Sequence, residues 1–414
     1  MSMNQVKCTY CGKTLEADST LPSSVCPHCG KSYEMAEAVR FLESPDFMVR
    51  GVKLVKYTGT QAKVELPSFV VKIGKEAFSG CESLKHIVIP NGVRKIGANA
   101  FSNCTALESV TLPDSLETIG KSAFAQCGSL KSITIPSRVT VIDESAFRNC
   151  VGLTSVTMPA VKKIKRHAFE SCTNLKDVTM DNVEKIENFA FYRCTGLTSV
   201  TMPAVRKFGW YAFGYCTNLK EITMDRVDKI ESFAFCNCTG LTSIAIPARK
   251  IELAAFEACT GLKEVTLDHA DKIEGLTFKG CTSLEHVTLP KYCSNIGPGV
   301  FEDCVSLTSI EIPGRPSELS GAMFWGCTSL KDVTFLDPTG VYEIGCLAFL
   351  GCTSLEHITL PDGTRSIGSR AFENCTNLKS IRFSGQLQQL WENAFDGCTS
   401  LEGLPPALEI VERQ

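Results

Sequence analysis

One short motif returns along almost the whole chain and constrains its fold more than any other feature. A phenylalanine followed three positions later by a cysteine occurs fifteen times, from Phe78 and Cys81 to Phe395 and Cys398. Successive phenylalanines are mostly 22 or 23 residues apart, with one step of 21 and one of 25. A fixed period of this length is typical of units that stack on one another, so the sequence predicts a solenoid.

The residues inside one repeat indicate how each turn folds. Apolar and polar residues alternate from Leu107 to Leu112, as in a short strand, and Pro113 ends it because proline cannot donate the next ladder hydrogen bond. The Ala-Phe-x-x-Cys segment is too short for a free-standing helix. We therefore expect one helical or 3₁₀ turn that places Ala and Phe in the core. The stacked strands should form a parallel β-sheet, with about 4.8 Å per turn and a rod of roughly 70 Å.

The repeat consensus also carries a family resemblance. Written as I-G-x-x-A-F-x-x-C-t-x-L-x-x-V-t-x-P, it resembles the BspA-like leucine-rich repeats of gut bacteria and some protists, and the segment LVKYTGTQAKVELPS at 54–68 is similar to the lead-in of that family. The resemblance covers about residues 47–404. It implies an α/β leucine-rich-repeat solenoid of about fifteen turns, with a parallel β-sheet on its concave face, that binds other molecules. Several family members are cell-surface proteins that engage host or matrix proteins, so an adhesin is an alternative function.

Two Cys-x-x-Cys pairs, Cys8 with Cys11 and Cys26 with Cys29, precede the repeats. Four thiolates at this spacing can close a tetrahedron around one Zn²⁺, and CTYCGK and CPHCGK are similar to the knuckles of a zinc ribbon. A redox dithiol is the alternative, but it normally needs a single pair beside a βαβ unit. With four protein ligands and no open position, the zinc would be structural. His28 is an alternative ligand that we expect to be a solvated neighbour instead.

These features predict three segments: a zinc ribbon at 1–31, a linker helix at 32–46 and the solenoid at 47–414, with an N-terminal cap at 47–70, repeats at 71–404 and a short C-terminal tail. The helix is predicted because Ser32 is a plausible N-cap and because Met35, Val39 and Leu42 recur at helical spacing. Pro45 would end it.

The other cysteines bear on the redox state. Fifteen of the 22 recur at one position of the repeat, and only Cys236, Cys293 and Cys346 lie outside both sets. A recurring residue occupies one structural slot, where free Cys behaves as a small buried hydrophobe. We expect reduced, buried thiols in keeping with a cytosolic chain. The first residues lack the pattern of a secretory signal, and no apolar run reaches the roughly 18 residues of a membrane span. The predicted location is the cytoplasm, with the cell surface as the alternative.

Charge and histidine placement weigh against two function classes. The chain carries 42 basic and 45 acidic residues, and residues 1–31 contain only Lys7, Lys13 and Lys31 as basic residues, so a regulator that contacts nucleic acid through the ribbon is the weaker alternative. His86, His286 and His357 each occupy an outward strand position, and no phosphate-binding loop, nucleophile elbow or HExxH motif occurs. We predict that the protein is not an enzyme.

Aromatic residues give the sharpest indication of a binding surface. The position before each Ala-Phe pair is usually polar, but three consecutive turns have aromatic residues there with further aromatics beside them: Phe189, Tyr211 and Phe233, flanked by Tyr192, Trp210 and Tyr215. Such a row either packs as core or forms an exposed patch that a partner covers. The hypothesis is a non-enzymatic protein–protein interaction scaffold, a monomer or weak homo-oligomer whose partner the sequence does not identify. The Ser/Thr-rich outward face of the sheet is the alternative surface.

Overall fold

The computed structural model describes residues 3–8, 10–11, 13–18, 21–34, 46–50, 52–291, 293, 295–314, 318–337, 339–340, 343–382, 387–391, 393–402 and 410–411. The chain divides into two units, Met1–Leu197 (unit 1) and Thr198–Gln414 (unit 2). The regular elements of the described residues are β-strands. These residues contain no helix that is long and apolar enough to cross a membrane.

The N-terminal module consists of two antiparallel hairpins. Strand β1 (Met3–Lys7) pairs with β2 (Thr14–Asp18), and β3 (Ser23–Val25) pairs with β4 (Ser32–Glu34). The prediction that a linker helix begins at Ser32 is therefore wrong for residues 32–34. Tyr33 is buried in the core of the module while its two neighbours are exposed. This alternation of exposed and buried side chains is typical of a strand and not of a helix. The rest of the predicted helix, 35–45, lies outside the described residues.

A hairpin opens the repeat region of unit 1. Strand β5 (Phe47–Arg50) is antiparallel to β6 (Lys53–Tyr57), and the Tyr57 ring packs on Phe78 at a centroid distance of 5.1 Å. The first strands of the turns in this unit are β7 (Lys63–Glu65), β9 (His86–Val88), β11 (Ser109–Thr111), β13 (Ser132–Thr134), β15 (Ser155–Thr157) and β17 (Asp177–Val178). The second strands are β8 (Lys72–Ile73), β10 (Lys95–Ile96), β12 (Thr118–Ile119), β14 (Val141–Ile142), β16 (Lys163–Ile164) and β18 (Lys185–Ile186).

Unit 2 repeats this plan. Its first strands are β19 (Ser199–Thr201), β21 (Glu221–Thr223), β23 (Ser243–Ala245), β25 (Glu264–Thr266), β27 (His286–Thr288), β29 (Ser309–Ile312), β31 (Asp332–Phe335), β33 (His357–Thr359) and β35 (Ser380–Arg382). Its second strands are β20 (Lys207–Phe208), β22 (Val227–Ile230), β24 (Ala248–Ile251), β26 (Lys272–Ile273), β28 (Asn295–Ile296), β30 (Glu318–Leu319), β32 (Glu343–Ile344), β34 (Ser366–Ile367), β36 (Gln389–Trp391) and β37 (Ile410–Val411).

Each turn thus contributes to two sheets, whereas the sequence predicted one. Most strands of successive turns pair in parallel, as Lys95 with Lys72 in unit 1 and Ser199 with Glu221 in unit 2 show. Some neighbouring first strands, such as β11 and β13 or β27 and β29, belong to different sheets. In the second strand the repeated isoleucine, for example Ile96, is fully buried and follows an exposed residue, here Lys95. The parallel stacking of a leucine-rich-repeat solenoid is confirmed.

The core of the repeats is built on the repeated phenylalanine, which Ala precedes in twelve of the fifteen turns. Phe101 and Phe124 are fully buried, and their rings stack with centroids 5.0 Å apart and planes 1° from parallel. The corresponding rings of unit 2 stack in the same way, with Phe213 and Phe235 at 5.4 Å. The prediction that Ala and Phe lie in the core is confirmed.

The backbone around that pair is not helical. Two residues of each of the fifteen turns, the one before Ala-Phe and the one before Cys, have a φ between 51° and 75°. Hydrogen bonds such as Ser102 N–H to the Asn99 carbonyl and Cys104 N–H to the Phe101 carbonyl span three residues each. A left-handed residue cannot continue a right-handed helix. The expected helical or 3₁₀ turn is therefore replaced by successive tight turns.

Candidate functional site

The two Cys-x-x-Cys pairs meet at one point of the N-terminal module. Cys8 follows β1 and Cys26 follows β3. The Sγ atoms of Cys8 and Cys29 are 3.7 Å apart, those of Cys11 and Cys26 are 3.5 Å apart, and all four lie within 4.8 Å of one another. Zn–S bonds of ~2.3 Å place the corners of a tetrahedron about 3.8 Å apart. The four thiols therefore have the dimensions of a zinc site.

Backbone amides support the sulfur atoms of this group. The N–H groups of Tyr10 and His28 donate to Sγ of Cys8 and Cys26, each at 3.4 Å. Burial raises the pKa of Cys8 to about 12. At Cys26, burial is outweighed by the amides of His28 and Cys29 and by the neighbouring thiols, which lower the pKa to about 7. Amides aimed at sulfur favour the thiolate, the form that binds a metal.

His28 is exposed and does not join this four-cysteine group. Among the residues that the structure describes, the hydrophobic core beside the group is small: Val6, Leu15, Ala17 and Tyr33 accompany the cysteines. A core of that size contributes too little burial to fold so short a segment by itself, and small modules of this kind take folding energy from a metal.

The repeat cysteines form a second thiol arrangement, which the sequence predicted only as buried apolar groups. At least thirteen of them donate their S–H to the carbonyl oxygen of the phenylalanine one turn earlier. Cys127, for example, lies 3.1 Å from the Phe101 oxygen, and Cys150 lies 3.0 Å from that of Phe124. The slot therefore needs a small group that is also a donor. The period of the repeat predicted where these cysteines lie, but nothing in the sequence predicted their hydrogen bonds to the carbonyl groups.

Unit 2 presents a group of aromatic side chains that we call the aromatic patch, defined as Trp210, Tyr211, Tyr215 and Phe233. The rings of Tyr211 and Phe233 stack with centroids 4.9 Å apart and planes 4° from parallel, and both side chains are half-buried. Trp210 is 51% exposed and Tyr215 is 37% exposed. The structure thus brings Tyr211 and Phe233 together, and neither side chain is fully buried.

Tyr215 occupies an unusual backbone position. It is the residue before the repeat cysteine, with a φ of 60°. Ten of the fifteen residues at this position are Gly, Asn or Asp, the types that tolerate a left-handed backbone. A bulky side chain there costs about 1–2 kcal/mol, and strained residues of this kind cluster at functional sites.

The aromatic residues of unit 1 have close neighbours of their own. Phe189 stacks on His167 with centroids 5.1 Å apart and meets Tyr192 edge-on at 5.5 Å. The guanidinium of Arg193 lies 5.3 Å from the centre of the Tyr192 ring. Phe189 and Tyr192 are half-buried.

The histidines on the first strands lie at the surface. His86, His286 and His357 begin β9, β27 and β33 and are exposed. His86 shares a hydrogen bond of 2.9 Å with Ser109. Among the described residues, the only group of three or more metal-ligating side chains close enough to hold an ion is the four-cysteine group.

A family model described as BspA type leucine rich repeat region (6 copies) matches residues 53–176, 162–270, 249–344 and 336–407. Among solved structures, the chain is similar to a leucine-rich repeat protein from Bacteroides ovatus ATCC 8483, with 25% identity and a TM-score of 0.65 over 100% of both chains. It also matches a leucine rich cell surface protein from Faecalibacterium prausnitzii A2-165, with 23% identity and a TM-score of 0.40 over 89% of this chain and 96% of that chain. A search of curated protein sequences gave no match.

Proposed function

The chain belongs to the BspA-type leucine-rich repeat family, and on that basis we propose that it is a non-enzymatic scaffold that binds a protein partner through the aromatic patch of unit 2. Tyr215 is the observation that carries this proposal. It combines an exposed aromatic side chain with a backbone position that favours Gly or Asn. Aromatic side chains that are partly exposed and held by their neighbours are enriched at the centres of protein interfaces.

Two variants test the patch. Tyr215→Asn relieves the left-handed strain, so it should raise the free energy of unfolding by about 1 kcal/mol while weakening capture of the partner. Tyr211→Ser combined with Phe233→Ser should weaken capture as well. Each variant is immobilised and exposed to an extract of the producing cells, and the captured proteins are quantified by mass spectrometry. Circular dichroism follows thermal unfolding.

Trp325→Ser is the matched control, because Trp325 is also exposed, at 39%, and lies elsewhere in unit 2. A protein captured by the wild type and by this control but lost from both patch variants supports the proposal. An unchanged set of captured proteins contradicts it. A large drop in melting temperature for the double variant, without loss of capture, means that Tyr211 and Phe233 serve packing alone.

We further propose that Cys8, Cys11, Cys26 and Cys29 bind one structural Zn²⁺. The sulfur separations and the small core beside them support this. Elemental analysis of reduced, freshly prepared protein should give one zinc per chain, and Cys8→Ala with Cys26→Ala should remove it. Protein that retains no metal contradicts the proposal. Because Lys7, Lys13 and Lys31 give the module a weak phosphate footprint, we propose a structural role and not nucleic-acid binding.

A reducing compartment is the setting that we propose for the scaffold, which favours the cytoplasm over the cell surface. The buried thiols donate hydrogen bonds, and a donor sulfur must keep its proton. Counting free thiols after rapid acid quenching of the producing cells tests this: fully reduced repeat cysteines support the proposal, and repeat cysteines in disulfides contradict it.

A further inference from the structure

A recess opens on the hydroxyl-bearing face of unit 2, between β27 and β29. Strand β27 pairs with β25, and β29 pairs with β31, but β27 and β29 belong to different sheets. The recess has a volume of about 360 Å³ and its polar lining includes His286, Thr288, Ser309, Glu311 and Thr334. This volume lies at the lower end of the range for small-molecule sites, roughly 300–1,000 Å³.

In two other pairs of turns, the histidine that corresponds to His286 is hydrogen-bonded to a serine of the next turn. His86 hydrogen-bonds Ser109 at 2.9 Å, and His357 hydrogen-bonds Ser380 at 2.8 Å, each across two strands that pair in parallel. His286 and Ser309 occupy the same positions of their turns, but among the described residues no hydrogen bond joins them. Their polar atoms therefore face the recess and are available to a ligand.

The lining limits the ligand's charge. The recess is lined by one carboxylate, that of Glu311, and by no Lys or Arg among the described residues. It therefore lacks the cations that would hold an anion and the several acidic groups that would hold a metal ion or a polyamine. The hydroxyls of Thr288, Ser309 and Thr334 can both donate and accept hydrogen bonds. This lining suits a neutral ligand that carries many hydroxyl groups.

A peptide strand does not fit between the two edges. Cα atoms of β27 and β29 lie within 8 Å of each other. Adding a strand between them requires about 9.6 Å, twice the spacing of neighbouring strands. Leu336, which is 52% exposed at the rim, offers one apolar surface but no enclosed pocket for a large side chain.

A second cavity of unit 2 has a different character. It measures about 710 Å³ and is lined by side chains of both charges, including Arg249 and Asp271. The guanidinium of Arg249 already pairs with the Asp271 carboxylate at 2.8 Å. Four aspartates and three Lys or Arg residues line the cavity, so its charges point to no single ligand class.

We infer that the recess between β27 and β29 binds a neutral saccharide and holds one or two of its rings. The Glu311 carboxylate accepts hydrogen bonds from sugar hydroxyls, and such charge-assisted bonds are the stronger kind. His286 and Ser309 supply the groups that pair with each other elsewhere in the chain. Leu336 contacts the C–H face of a ring. This site is independent of the aromatic patch.

Titration of the full chain with neutral trisaccharides tests the inference. The probes are maltotriose, cellotriose and N-acetylchitotriose, and trigalacturonate is the charged comparison; saturation-transfer NMR detects contact and calorimetry measures affinity. At least one neutral probe should bind saturably. Glu311→Ala should weaken that probe about tenfold or more, and His286→Ala should weaken it severalfold, because each removes a hydrogen-bonding group.

His357→Ala is the matched control, since His357 begins an equivalent strand but bonds to Ser380, and it should leave binding unchanged. The inference is overturned if no neutral probe binds up to about 10 mM, if trigalacturonate binds as tightly, or if Glu311→Ala and His286→Ala both bind like the wild type. Circular dichroism confirms that each variant is folded. Coupling the bound probe to a carrier through its reducing end separates two sources: retained binding indicates a protein-linked glycan, and lost binding indicates a free saccharide.

Discussion

The N-terminal module and the repeats both concentrate cysteine, but they use it in opposite ways. In the module, four sulfur atoms gather within 4.8 Å of one another, an arrangement that suits thiolates around a metal. In most of the repeats, one thiol per turn is buried and donates to a carbonyl, as Cys127 does to Phe101. The difference teaches that spacing decides the role. Cysteines that are separated by two other residues converge on one point, whereas cysteines one turn apart form a line.

The two regions should therefore depend on protons with opposite signs. A metal-binding thiolate competes with protons, so acid weakens the module. A buried thiol must keep its proton, so alkali weakens the repeats. The two dependences can be measured separately, and the metal dependence of the module should be the larger.

Metal removal should give the largest effect. Chelation of zinc from the reduced protein should unfold the module, whose metal contributes on the order of 10 kcal/mol, while the repeats keep their structure. NMR shows the loss of dispersed signals from residues 1–34, and circular dichroism shows that the main thermal transition is retained. Protein with Cys8→Ala and Cys26→Ala should already behave like the chelated wild type. The contrast fails if the module stays folded without metal.

Alkaline pH should weaken the repeats. Burial raises the pKa of Cys150 and of Cys281 to about 12, whereas an unfolded thiol ionises near about 8.5. Above that pH the unfolded chain releases protons that the folded chain keeps, so unfolding becomes easier. The stabilisation is complete below about pH 8.5 and is lost as the pH rises toward 12, by about 1.4 kcal/mol per pH unit for each buried thiol in the unfolding unit.

Denaturant midpoints between about pH 7.5 and about pH 10 measure this loss. Cys150→Ala removes one titrating group and should make the dependence shallower by one thiol. A stability that does not change over this range would mean that the repeat thiols do not unfold as buried, protonated groups.

Substitutions at Cys127 separate burial from hydrogen bonding. Cys127→Ala removes the S–H donor and leaves a small cavity, at a cost of about 1–3 kcal/mol. Cys127→Ser keeps a donor for the Phe101 carbonyl, so we expect the smaller cost, about 1 kcal/mol. Urea denaturation gives both values. If serine costs more than alanine, the slot is purely apolar and the hydrogen bond contributes little.

The contrast also shows what the sequence could predict. The period of Phe and Cys gave the stacked fold, and two Cys-x-x-Cys pairs gave the candidate metal ligands, because both signals are regular spacings. The short second strands, such as Lys95–Ile96, were missed since two residues are too few to show a period. The helical spacing of later residues led to a wrong prediction of helix at Ser32–Glu34. The structure has a strand there, because Tyr33 packs in the core of the module.

The two residues of each repeat with a left-handed backbone explain why part of the candidate site was harder to predict from the sequence. Gly80 and Asn103 before the repeat cysteines do indicate a left-handed backbone. At the position before Ala-Phe, Glu76 and Ser122 also have a left-handed backbone. The residue types at that position therefore do not indicate a left-handed backbone, and an aromatic residue there does not indicate strain. The recess between β27 and β29 exists because these strands belong to different sheets. The residue types of the repeats do not show which strands pair, so the sequence did not predict the recess.

The smallest expected effect is the difference in stability cost between replacing a repeat cysteine in a central turn and replacing one in the last turn. Cys150 is fully buried, and Cys398 is half-buried in the last turn, yet both donate to a phenylalanine carbonyl at 3.0 Å. The hydrogen bonds are equal, so the comparison isolates burial. Cys398→Ala should cost about 0.5 kcal/mol or less, because water fills the space that the sulfur leaves, whereas Cys150→Ala should cost about 1–3 kcal/mol. Hydrogen exchange in the affected turns measures both, and equal costs would show that the bond to the carbonyl outweighs burial in the repeats.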